Sequence, residues 1–142
     1  MAAPVYVQDV ETVFNTVDDK TTASFDVQTF DILVAFSVKK NNQDPVITIA
    51  GGGLTWTLQQ DINVANYCQV RVWAAIAESN QSMTVTFSKA SNLFSELFGG
   101  CVVSFRESNG YGASSQSNVE DAEPTLDLTT TDTNSAIVVV SG

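Results

Sequence analysis

Histidine is missing from this chain altogether, and lysine and arginine together number 6 against 16 aspartates and glutamates. Without imidazole, the nucleophile triads that depend on it, histidine acid–base chemistry and imidazole metal sites are excluded. The formal net charge is −10, and no basic stripe offsets it. Such a surface is repelled by a phosphate backbone and by anionic lipid, so neither nucleic acid nor a membrane is expected as a partner. Cysteine is nearly absent too. Cys68 and Cys101 are too few for a zinc site. Neighbouring strands could pair them as a disulfide, whereas cytosolic synthesis favours two buried thiols. No run of about twenty apolar residues is present to span a membrane. The start, Met1-Ala-Ala-Pro-Val-Tyr, has no basic stretch followed by an apolar one, so cytoplasmic synthesis without a signal peptide is expected.

Proline is also scarce, and Pro4, Pro45 and Pro124 each fall at a segment boundary, where a missing N–H does least harm. What remains is short apolar runs between stretches rich in Gly, Asn, Ser, Gln and Asp. Asp31–Val38, Leu54–Leu58, Cys68–Ile76, Met83–Phe87 and Gly100–Arg106 all read as strands. Asp31–Val38 is almost continuously apolar, as expected of a central strand covered on both faces. Val5 and Val7 open an extended segment, Asp18-Asp19-Lys20 reads as a turn, Ser24–Gln28 alternates, and Val46–Ile49 leads into Gly51-Gly52-Gly53. That glycine triplet suits a sharp turn and not a phosphate loop, since no Lys-Ser/Thr and no helix follows. Cys68, Val70, Val72, Ala74 and Ile76 would form one apolar face of their strand, with Tyr67, Gln69, Arg71 and Trp73 on the other. The one helix candidate is Asn92–Phe98, capped by Asn92 and ended by Gly99. Ser108–Asp121 reads as a long loop, Thr125–Leu128 alternates, and Ala136–Val140 reads as a last strand. Strands separated by turns without helical periods predict an all-β fold: a single domain over 1–142, an antiparallel β-sandwich of jelly-roll type with at most one short helix.

Little chemistry remains to be carried. Asp18 and Asp19 sit in a predicted turn and Glu120, Asp121 and Glu123 in a loop, so neither group points from a strand into a cleft as a pair of catalytic carboxylates would. Neither has the spaced Asp/Asn/Gly pattern of a calcium loop. No enzyme activity, metal or cofactor is expected. The face Tyr67, Gln69, Arg71 and Trp73 is the candidate site. Its aromatics beside amide and guanidinium groups suit three roles: packing inside a second layer, a protein interface, or sugar stacking.

In order, Asp31-Ile-Leu-Val-Ala-Phe, Leu54-Thr-Trp-Thr-Leu, Val70-Arg-Val-Trp-Ala-Ala, Met83-Thr-Val-Thr-Phe-Ser and Val102-Val-Ser-Phe-Arg-Glu-Ser resemble a β-sandwich module. Such modules occur in virion proteins of tailed bacteriophages and in some bacterial surface proteins. The resemblance runs from about Asp31 to Val140. Relatives often carry Gly where this chain has Phe30, and often continue past the final strand. The resemblance therefore implies a jelly roll completed by a neighbouring subunit or by sequence beyond Gly142. The resemblance brings no catalytic motif. It implies a virion location and a structural role, foremost a capsid decoration protein. Such a protein would bind the major capsid protein, bridge capsomers, and form a homo-oligomer, a trimer suiting a threefold site. Its alternative is a carbohydrate- or receptor-binding module of a tail fibre or tail tip, which requires Tyr67 and Trp73 to be exposed.

Overall fold

The computed structural model describes residues 3–16, 18–40, 46–64, 68–89, 97–115, 127–129 and 135–139. Among these there is no helix. In chain order the strands are β1 (Val5–Glu11), β2 (Asp19–Thr21), β3 (Phe25–Val27), β4 (Ile32–Lys40), β5 (Ile47–Gly51), β6 (Thr57–Val64), β7 (Cys68–Ile76), β8 (Gln81–Met83), β9 (Val85–Lys89) and β10 (Phe98–Arg106). β1, β10, β4, β7 and β6 form a five-stranded antiparallel sheet in that order. The facing layer is β2-β9-β5 together with the pair β3-β8. The fold is an antiparallel β-sandwich.

The smaller layer is one bent ribbon. Only Thr84 separates β8 from β9, and residues 22–24 separate β2 from β3. Thr22 stitches the bend: its N–H donates to the Val85 carbonyl at 2.9 Å, and its hydroxyl accepts from the Val85 N–H at 3.0 Å. A buried backbone interrupted at Thr84 thereby keeps its hydrogen bonds satisfied.

Strand parity builds the core. Leu33 and Ala35 of β4, Trp73 and Ala75 of β7, and Val102 of β10 meet Phe25, Val27, Ile47, Met83, Val85 and Phe87 of the opposite layer. Trp73 lies against Phe87, ring centroids 6.2 Å apart and tilted by 57°. Gly100 lets Phe87 come close, since a Cβ there would stand 2.6 Å from the ring. β4 is the central strand of its sheet, which accounts for its unbroken apolar run. Its alternate residues Ile32 and Val34 face outward and are buried by another route. With Val70, Val72, Ile62 and Phe105 they line a cavity of about 600 Å³, roofed by residues 107–115 and by Ser135–Val139.

Several expectations need correction. Asp18-Asp19-Lys20 is not a turn: Asp19–Thr21 is β2, paired with β9, and its parity turns Lys20 inward. The Leu54–Leu58 segment becomes a strand only at Thr57 and continues through polar residues to Val64. Leu54 and Trp56 instead pack on the core from irregular chain, with the Trp56 indole N–H donating to the Gly51 carbonyl at 3.3 Å. Met83–Phe87 is broken at Thr84. Phe98 and Gly99 belong to β10, so they neither end nor cap a helix; residues 92–96 lie outside the described residues. Residues 136–139 form no strand, because they lie across the outward face of the large sheet rather than pairing with an edge; Val140 lies outside the described residues. Gly52 and Gly53, at φ of 61° and 67°, do use the left-handed region expected of them. Cys68 and Cys101 are free thiols.

Candidate functional site

Gln69, Arg71 and Trp73 share the inner face of β7, as their spacing requires; Tyr67 lies outside the described residues. That face is the interior one. Trp73 is only 5% exposed and belongs to the core, so it offers no platform for a sugar. The exposure that the tail-module alternative demands of Trp73 is thereby overturned. The physical reason is register: Trp73 stands opposite Ala35, and the small alanine leaves room for an indole beneath the second layer.

From Trp73 toward the far end of the strand, the inner face turns polar. The Arg71 guanidinium crosses the layers: Nη1 donates to the Ile47 carbonyl at 2.9 Å, while Nη2 pairs with the Asp61 carboxylate. Gln69 donates its amide to the other Asp61 oxygen at 3.1 Å. Among the described residues, the buried Gln69 Oε1 and Arg71 Nε have no hydrogen-bond partner.

Lysines gather at the same end. Lys39 is paired in register with Gln69 on one side and Phe98 on the other, and Lys89 with Ile47. Lys20 sits with its ammonium 4.5 Å from the centroid of the Phe98 ring, and Lys89 at 5.8 Å. The Lys20 ammonium donates to the Asn15 side-chain oxygen, and Lys89 stands 3.6 Å from Asp18. All three lysines are at most 5% exposed. The cation–π contacts of Lys20 and Lys89 with Phe98 offset part of the desolvation cost of those two. The parity signal for this cluster was present in the sequence: the alternation that sends Leu33 and Ala35 inward continues to Lys39, and Val85 and Phe87 continue to Lys89.

Burial, joined by the like charge of Lys89, holds Lys20 below the ordinary lysine value of 10.5. Between that lowered value and 10.5 the unfolded chain binds more protons, so the protein gains stability as pH rises through the window. Lys20→Met is expected to raise stability at pH 7 by about 1 kcal/mol and to abolish this alkaline gain. Urea unfolding at pH 7 and 10 measures both.

A second cluster lies on the edge strand. Asp9, Glu11 and Cys101 bring their ligand atoms within 4.8 Å of one another. Burial, and after it the charges of Asp9 and Glu11, push the Cys101 thiol up to about 11, so it stays protonated at neutral pH. A protonated thiol is a poor metal ligand. The outer edge of β1 matters more for association. Val5 and Tyr6 are at least half exposed at its start, and Val13 (73% exposed) and Phe14 lie beyond its other end, with the exposed Asp9 and Glu11 between them. Among the described residues β1 pairs only with β10, which leaves the other side of its backbone without a strand partner there.

Of the acidic groups weighed for calcium or acid–base chemistry, Asp18 faces Lys89 and Asp19 is exposed on β2; Glu120, Asp121 and Glu123 lie outside the described residues. Comparison with known protein families, curated proteins and solved structures finds nothing that matches this chain.

Proposed function

We propose that this chain is a structural virion protein, a decoration subunit that binds the outer surface of a phage head and bridges its capsomers. The observation that carries the reading is the open edge of β1 among the described residues, with exposed Val5 and Tyr6 at one end and exposed Val13 and Phe14 beyond the other. A soluble monomer leaves such a strand edge open at the risk of indiscriminate pairing, whereas a symmetric assembly covers it. A trimer on a threefold site suits that need, with the major capsid protein beneath. The charge of −10 suits a surface that meets no packaged DNA.

The strand order supports the jelly-roll wiring that belongs with this reading. The chain pairs from its ends inward: β1 with β10, β2 and β3 with β9 and β8, and β4 with β7. The doubled ribbon then closes by β10 on β4 and β9 on β5. β6 departs from that scheme by pairing with β7 instead of β5.

Binding only to the assembled shell stabilises it by mass action. Heads lacking this chain are expected to lose DNA at lower temperature than complete heads, and adding the purified protein should restore them. Equal heat resistance in the two preparations would sink the proposal.

A further inference from the structure

Opposite the lysine end of the sandwich, a bulky residue breaks the backbone rules. Phe30 has a φ of 70°, in the left-handed region, and is 75% exposed. For a bulky side chain that conformation is strained relative to glycine, and the exposed ring returns almost none of the cost as burial.

The conformation is imposed by its neighbours. The Phe30 N–H donates to the Ala77 carbonyl at 2.8 Å, and the Ala77 N–H donates to the Asp31 carbonyl at 2.9 Å. The Asp31 N–H donates to the Gln28 carbonyl at 3.0 Å, and the Asp31 carboxylate accepts from the Gln28 N–H at 2.8 Å. That carboxylate is gripped by both Arg106 Nε and Nη2 at 2.9 Å. None of these bonds involves the phenyl ring. Glycine would complete the same turn without strain, so the fold gives no reason for an aromatic here.

The surroundings define what the ring could meet. Ile76, half exposed, ends the strand that leads to Ala77, and Glu78 follows it on the surface. Glu107, also exposed and also at positive φ (60°), follows Arg106. Arg106 is committed to Asp31, so the charge flanking the apolar knob is negative. A second copy of this chain would bring like charges together at this face.

We propose that Phe30, with Ile76, is the anchor by which this end of the sandwich docks on a second protein, one offering an apolar socket rimmed by lysine or arginine. A locked turn presents the ring at little further entropic cost, which is the advantage of a rigid aromatic contact. Glu78 and Glu107 steer the approach and make it salt-sensitive. The identity of the partner as a head protein rests on the function proposed above; the character of the contact rests on Phe30 itself.

The experiment uses heads purified from a phage deleted for this chain, with the full-length protein added back as wild type, Phe30→Gly, or Glu78→Lys with Glu107→Lys. Thermal unfolding of each free protein is measured alongside. Phe30→Gly is expected to raise the melting temperature by about 3 °C yet weaken head binding about tenfold or more. The double charge reversal should weaken binding and flatten its salt dependence. Wild-type protein that fails to bind heads would overturn the virion reading and this partner with it. Equal binding by wild type and Phe30→Gly would overturn the anchor alone, as would a lowered melting temperature for Phe30→Gly, which would make the ring structural.

Discussion

Arg106→Ala is expected to lower stability at pH 7 by more than any other single substitution of a charged residue on this sheet, because it strands the buried Asp31 carboxylate without its charge partner. Asp31 is fully buried, and its two strongest partners are the Nε and Nη2 of Arg106. Burial by itself would push the Asp31 carboxyl up; the hydrogen bonds from Arg106 and from the Gln28 N–H outweigh it and hold the group below its ordinary 3.8. In the native protein this contribution is therefore present above pH 3.8 and is lost only as pH falls through the depressed value. Without Arg106, the burial effect prevails. The Asp31 value then rises, and stability should increase as acid neutralises the stranded charge. Urea unfolding of both proteins from pH 7 to pH 4 reads the contrast: a flat profile for the wild type across the upper part of that range and a rising one, toward acid, for the variant. Asp31→Asn should cost less, since Arg106 is partly exposed and reaches water when released. Matching profiles for wild type and Arg106→Ala would mean that the pair holds no buried charge.

Trp73→Ala is the other large effect, about 3–5 kcal/mol, comparable with the whole stability of many single domains. The indole fills the space between Ala35 and Phe87, and alanine would leave a cavity that a rigid sandwich cannot collapse. The variant should unfold at markedly lower urea, with tryptophan fluorescence from Trp56 reporting the transition. Wild-type stability in Trp73→Ala would place the indole outside the core and reopen a role at the surface.

The same residue marks how far the sequence could be read. Period-two spacing correctly separates Val70, Val72 and Ala74 from Gln69, Arg71 and Trp73. It does not say which set faces the second layer. Both faces of β7 are in fact covered: one by the bent ribbon, the other by residues 107–115 and Ser135–Val139. Covering by irregular chain leaves no periodic trace. β6 escaped notice over Gln59–Val64 because an edge strand with one wet face needs few apolar residues. Charge misled at Lys20, where local polarity suggested a turn and long-range pairing with β9 won. Lys20, Lys39 and Lys89 each have a parity signal or a neighbour in the sequence, but only strand order brings them around Phe98. Nothing in the residue pattern around Phe30 marks its backbone conformation. The backbone angle supplies the physical reason for glycine there.

The placement of β4 has a consequence for the chain's sulfur. Cys68 stands opposite Lys40 and Cys101 opposite Phe36, on strands that flank β4. Two strand spacings across and four residues along put their Cα atoms roughly 16 Å apart, far beyond the reach of a disulfide. Oxidising and reducing surroundings therefore meet the same covalent chain, with no crosslink between these two thiols to form or break.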